Sequence, residues 1–367
     1  MIPLLNEKQI TQAKATCQST LSLTFQGLTL DILADDSALL DYLSDYYSAL
    51  TCNDPPSSLA RQKALRVFLV NQSPETQGID WTPVKRKKVS PLGLKEAYRD
   101  CPQGRWIHKI RTGIALLQSL TDPVAIGDLT QHRSQVVNFI NNQFLNHQQR
   151  CGYLLGHASA FENQGAVTAI AASSGGGKST LMLKALENEN ARFLSNDRIL
   201  FQPGNAQIDV LGVAKHPRVN PGTLLNASRL VSLLPDEERC RFDDMPKHKL
   251  WDIEQKYDVL IDHVYGNNKT ALSGSLDHLI LLDWSLASTS PTALTPVDIE
   301  QTPKALEGLR KSPGPFFQQA DGLFPPEHTP DCQHYAGHLK GVQVMRLTGI
   351  IDFERAIGLL KRDGILS

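Results

Sequence analysis

The chain has 367 residues, with 37 basic and 38 acidic side chains and a formal net charge of −1. That balance excludes a general attraction to nucleic acid or to acidic membranes, and no apolar run approaches the roughly 20 residues needed to span a bilayer. The length predicts two domains or one large one, and six scattered cysteines without a Cys-x-x-Cys pair read as reduced thiols of a cytoplasmic protein, not a disulfide frame or zinc site.

The opening Met1-Ile2-Pro3-Leu4-Leu5-Asn6-Glu7 has neither the basic region nor the apolar core of a signal peptide. Residues 7–18 read as a short surface helix. Apolar alternation in Leu21–Phe25 and Leu28–Ile32 around Gln26-Gly27 predicts a β-hairpin. Asp36 or Ser37 caps a helix to about Leu50 whose buried side carries Leu39, Leu40, Leu43, Tyr46 and Tyr47. Ala64–Val70 reads as a strand. The basic tract Lys85-Arg86-Lys87-Lys88 reads as a solvated loop or edge strand. Gly104–Gly113 reads as one strand, with the apolar pattern continuing through Ile114–Leu120, and Val136–Phe144 has helical spacing. No catalytic constellation stands out in this half, and His108 and His132 read as ordinary packed or surface histidines.

Tyr153–Phe161, which contains His157, reads as a strand, and Glu162–Gly165 as a turn into the next one. That next strand, Gly165–Ala172, runs into Ser173-Ser174-Gly175-Gly176-Gly177-Lys178-Ser179-Thr180, and Leu181, Leu183, Ala185 and Leu186 then fit a helix. Strand, glycine-rich turn and helix in this order make a phosphate-binding loop. Glycines let several N–H groups converge on one point, and a helix N-terminus adds to the attraction for an anion. Lys178 would meet the β- and γ-phosphates, and the Ser179 hydroxyl would reach Mg²⁺. The usual pattern starts on glycine, whereas this chain has Ala172 there.

Beyond the loop helix, Arg192–Phe201 is two apolar stretches around Asn196-Asp197-Arg198. A carboxylate at a strand end beside such a loop is where a metal ligand and a catalytic base belong, so Asp197 is the leading candidate. Val213–Thr223 reads as a rigid loop offering Lys215, Arg218 and the Thr223 hydroxyl for phosphate clamping. Asp243–Lys249 reads as a flap, and Trp251–Asp262 brings Glu254 and Lys256 as weaker candidates. His278–Asp283 reads as a buried strand whose Asp283 is either an outer-shell magnesium group or a strand-end cap. Leu272-Ser273-Gly274-Ser275 is not a transporter signature, because the gap to that strand is too short for a helix. Residues 286–330 read as long loops around a short helix near 303–311, His334–His338 as a loop, Val342–Leu347 as a strand and Asp352–Lys361 as a helix.

Taken together, His157, Ser174-Gly175-x-Gly177-Lys178-Ser179 and Asn196-Asp197 resemble the bacterial HPr kinase/phosphorylase family and, more distantly, the phosphoenolpyruvate carboxykinase fold. Lys215-x-Pro-Arg218-x-Asn-Pro-Gly-Thr223 and Glu254-Gln-Lys-Tyr257 resemble its branch called HPr-kinase-related kinase B. The resemblance covers roughly residues 150–265, and the N-terminal half resembles only the narrower branch. It implies an α/β P-loop kinase domain over 146–367, preceded by a smaller α+β domain over 1–145. It also implies a cytoplasmic enzyme that uses ATP and Mg²⁺ on an unnamed hydroxyl of a protein or small molecule, with homo-oligomerisation left open. The family's acidic pair is Asn196-Asp197 here, so one carboxylate is missing. Asp197 with His157 would orient or deprotonate the acceptor, Ser179 and Asp197 would serve the metal, and Lys215 or Arg218 would neutralise the moving phosphoryl. The rival readings are a non-transferring ATPase or nucleotide switch, and a non-catalytic protein with a degraded loop.

Overall fold

Two patterns of hydrophobicity, period two in the strands and period near 3.6 in the helices, sort the chain into mixed α/β layers. The computed structural model describes residues 1–48, 50, 64–84, 93–173, 175–225, 227–246, 249–250, 253, 255–326 and 329–367. The basic tract 85–88, Ser174 and Glu254 lie outside the described residues. The chain forms two compact units, one from Met1–Cys151 with 313–328 and one from Gly152–Ser312 with 329–367.

The first unit is built on an eight-stranded sheet. Its hairpin joins Ser19–Phe25 to Leu28–Ala34 through Gln26-Gly27, with Phe25 paired to Leu28. Leu28–Ala34 then runs parallel to Leu65–Val70. The Asp36 carboxylate accepts the Ala38 N–H and starts the helix Ser37–Tyr47, so its Leu39, Leu40, Leu43 and Tyr47 are buried. The rings of Phe25, Tyr47 and Phe144 pack together, the last from the helix Arg133–Arg150. The stretch expected as one strand through Gly113 is a hairpin: Gly104–Lys109 and Ile114–Gln118 pair antiparallel. Gly113 at φ +69 makes the turn, a conformation that costs glycine little. The distant segment 313–328 is tied to this unit through its backbone. Asn146 Nδ2 donates to Phe316 O at 2.8 Å, and the Arg105 guanidinium lies between the rings of Tyr98 and Phe324.

The second unit is organised by three parallel strands, Ala166–Ala171, Ser273–Ser285 and Gln343–Ile350. All three are rich in apolar residues because both faces of the sheet are covered. One face buries Val167, Ala169, Leu279, Leu281 and Val344 against Leu306, Leu309, Tyr335 and Ala336. The helix Lys178–Ala185 is buried nearly all round although Lys178, Ser179, Thr180 and Lys184 are polar. Ala158–Asn163 and Ala191–Ser195 extend one side of the nine-stranded sheet, and Ile208–Gly212, Ile199–Pro203 and Leu154–Gly156 the other.

Three sequence expectations need correction here. Tyr153–Phe161 is two strands, Leu154–Gly156 and Ala158–Asn163, with His157 at the break. The chain breaks there because Gly156 is pressed against Ile199 and Leu309, and the His157 N–H donates to Leu309 O at 2.6 Å. His334–His338 is helical, within Cys332–His338, because the Asp331 side chain accepts the His334 N–H. Residues 286–330 contain a strand, Ala293–Pro296, paired with Gln343–Ile350, beside the expected short helix at Pro303–Gly308.

Gly212 marks a close approach between strands: a Cβ placed on it would lie 2.0 Å from the Leu194 carbonyl oxygen. Gly212→Ala is therefore expected to lower stability by about 1–3 kcal/mol, read as a fall in the urea midpoint at unchanged slope.

Candidate functional site

The turn 172–177 leaves the carboxyl end of Ala166–Ala171 and enters the helix Lys178–Ala185. Gly175 and Gly177 have φ of +82 and +91, so the bare backbone does what a side chain would forbid. A Cβ on Gly176 would stand 2.7 Å from the Ala172 methyl. The extra methyl at the first loop position is thus accommodated by the missing side chain opposite. Trp284 donates its indole N–H to Gly176 O at 2.9 Å, and its ring meets Phe353 edge-on. These two aromatic residues brace the turn from the neighbouring strand end and the closing helix Phe353–Arg362.

Lys178 is buried, and its ammonium donates to Ala172 O at 3.0 Å and Ser173 O at 3.2 Å. Burial pushes it down to about 8, with Asp197 opposing and Lys311 reinforcing the shift. Ser179 Oγ donates to Asn196 Oδ1 at 2.7 Å, and Ser159 Oγ donates to the same oxygen at 2.8 Å. Thr180 Oγ1 lies 2.9 Å from Thr223 Oγ1, which links the loop helix to the short helix Pro221–Leu224.

Asp197 sits in the turn between Ala191–Ser195 and Ile199–Pro203 with φ +74. That left-handed conformation is uncommon for a residue with a Cβ, though aspartate tolerates it better than most. His157 Nε2 is 3.5 Å from one carboxylate oxygen and Arg198 Nε 3.4 Å from the other. Burial works to raise the Asp197 carboxyl, but the His157 hydrogen bond and the charges of Lys311 and Arg198 outweigh it. The group is held well below the ordinary carboxylate range. Lys215 is pushed down to about 8 by burial, against the pull of Asp197 and with help from Arg198, Arg218 and Lys256. Arg218 is exposed in a two-residue strand and engaged by Asp258 at 2.8 Å. A cavity of about 440 Å³ opens beside the turn, bordered by His157, Ala172, Ser173, Asp283, Gly308 and Arg346 among others.

Sequence reasoning missed Lys311, Trp284 and Gly308. Lys311 lies in an irregular stretch without a motif, and only the fold brings its charge to Asp197 and Lys178. A Cβ on Gly308 would crowd the Ala172 backbone at 3.1 Å. Trp284 follows Asp283 and belongs to no motif.

Oxygen donors from Ser179, Asn196 and Asp197 suit a hard divalent cation. Among the described residues no cluster of three His, Cys, Asp or Glu side chains could hold a metal ion. The protein alone therefore offers a partial donor set, of the kind magnesium completes with phosphate oxygens and water. No helix among the described residues is long and apolar enough to cross a membrane.

No protein-family model and no curated protein matches the chain. Among solved structures, that of the Hpr(Ser) kinase/phosphatase from Coxiella burnetii is similar over 57% of this chain and 96% of that chain. The identity is 12% and the TM-score 0.29, a likeness too slight to carry any further argument.

The two depressed lysines set a pH window with two signs. Below about 8 both ammonium groups are charged and attract an anion; above it they are neutral. Affinity for inorganic tripolyphosphate is expected to fall as pH rises through 8, measured by calorimetry. Their folded values lie below the ordinary lysine value of 10.5, so the unfolded chain binds more protons between about 8 and 10.5. Stability without ligand should rise across that same window, read as a rising urea midpoint.

Proposed function

We propose that the second unit is an ATP-dependent phosphotransferase of the HPr kinase superfamily type, within the HPr-kinase-related kinase B branch. In this reading the boundary expected near residue 146 separates an N-terminal domain from the P-loop domain, with 313–328 returning to the first unit. The observation that carries it is the meeting of a buried lysine on a glycine turn, a serine hydroxyl and an ionised aspartate at one end of the sheet. Lys178 Nζ, Ser179 Oγ and the Asp197 carboxylate hold these places.

The turn's N–H groups, with Ser173, Gly175, Gly176, Gly177 and Thr180, would cradle the triphosphate, and Lys178 would neutralise its β- and γ-phosphates. Magnesium, when bound, would be held by Ser179 and Asp197 and would offset phosphate charge. Asp197 is a weak proton acceptor, because its carboxyl is held so low. Its role is to orient the acceptor hydroxyl and steady His157, and the proton passes to this pair. Lys215, Arg218 and Lys311 supply positive charge where the phosphoryl group moves. The clustering of cations around one carboxylate favours a polyanionic ligand and argues against a solvated loop. Asn196 in place of a second carboxylate is what would favour the rival reading, a nucleotide hydrolase or switch without transfer.

Lys178→Ala is expected to weaken ATP binding by about tenfold to a hundredfold, the loss of charge-assisted hydrogen bonds. Unchanged affinity by calorimetry in a variant that still melts cooperatively would remove the turn from the mechanism. Asp197→Asn should keep affinity for ATP measured without magnesium and lower the transfer rate by about 10²–10⁴. The fate of a labelled γ-phosphate separates transfer to an acceptor from release to water.

A further inference from the structure

The cavity beside the turn is not used by the mechanism above, and it adjoins the reacting end of the site. The Lys178 ammonium rests on Ala172 O and Ser173 O, and the lysine of such a loop reaches the β- and γ-phosphates. Ala172 and Ser173 also border the cavity, as does His157, the partner of Asp197. The cavity therefore adjoins the part of the turn where such a lysine would meet the terminal phosphates. Its volume of about 440 Å³ lies within the range of about 300–1,000 Å³ typical of small-molecule sites.

Its walls carry more positive than negative charge, Lys304, Arg310 and Arg346 against Asp283 and Glu307. The pairs differ in quality. Arg310 is closed onto Glu307 at 2.5 Å and onto the carbonyls of Thr329 and Pro330. Arg346 meets Asp283 by one long contact of 3.7 Å, with that carboxylate 70% exposed. Lys304 is exposed on the short helix Pro303–Gly308 and makes no ion pair among the described residues. Arg346 and Lys304 are thus the two cations available to an incoming anion, and a guanidinium suits a carboxylate. Ala171 and Leu281 supply apolar wall.

We infer that this cavity is the acceptor pocket and that it takes a small hydroxyl-bearing carboxylic acid. The inference rests on the phosphotransferase reading. The acid's carboxylate lies toward Arg346 and Lys304, and its hydroxyl toward His157 and the terminal phosphate. The hydroxyl oxygen forms the new bond to the γ-phosphorus, and the bond from that phosphorus to the β,γ-bridging oxygen breaks. ADP leaves with the electron pair, and the hydroxyl proton goes to the His157–Asp197 pair.

The test uses the full-length chain, magnesium and ATP labelled at the γ-phosphate. The panel is glycerate, malate, serine and gluconate, set against glycerol, erythritol and a protein extract. Label is expected on an acid. Arg346→Gln and Lys304→Met should each raise the KM for that acid by about tenfold or more, with the KM for ATP moving much less. Lys304 is exposed, so its variant separates binding from misfolding. Label on the neutral polyols alone, on protein alone, or on water with every acid inert overturns the acid pocket. Those results leave nucleotide binding standing. A chain that fails to bind ATP in calorimetry overturns the phosphotransferase reading itself.

Discussion

A single ammonium group, that of Lys178, is held out of water by two carbonyls of the turn it terminates. Burial pushes its pKa down from the ordinary lysine value to about 8. Two of its three donors are engaged by those carbonyls, and the Asp197 carboxylate lies within electrostatic reach, which offsets part of the cost of burial. Much of the surrounding structure serves that arrangement. Gly176 and Gly308 give up side chains so that the strand end can be approached from two directions. Trp284 fixes a third carbonyl of the same turn.

Charge is concentrated around Asp197 in a way that a stable fold does not need. Arg198, Lys215, Lys311 and Lys178 all act electrostatically on or through one carboxylate. Like charges brought together repel, and burial adds to the cost. Such a collection is costly on its own, which is what the proposed polyanion would offset. The left-handed backbone at Asp197 belongs to the same account. Strain at that residue fits a position selected for where its carboxylate points.

The turn, its lysine and the aspartate beyond the loop helix were legible because they are local. A run of glycines before Lys178-Ser179 carries its geometry within a few residues, and the apolar strand and helix on either side report their own periods. The hairpin at Gln26-Gly27 and the helix capped by Asp36 were readable for the same reason. What escaped depends on contacts distant in sequence. His157 looked like part of a continuous strand, since nothing in its own neighbourhood announces that Gly156 will be pinned by Leu309. Lys311 and Trp284 carry no motif and acquire meaning only from the strands that deliver them. Cys332–His338 carries a helical cap at Asp331, but its glycine and two histidines hide the pattern.

Segment 313–328 belongs to the first unit although the chain on either side of it belongs to the second. The polypeptide leaves the first unit after Cys151, builds most of the second, returns to lay one strip on the first, and goes back to finish. Neither unit is therefore a continuous piece of chain. A fragment ending before residue 313 would strip the first unit of the strip that accepts from Asn146 and covers Arg105. A fragment beginning near residue 146 would carry that strip away with nothing to lie against. Such insertion of one unit within the other makes the two inseparable as genes even where they are separable as folds.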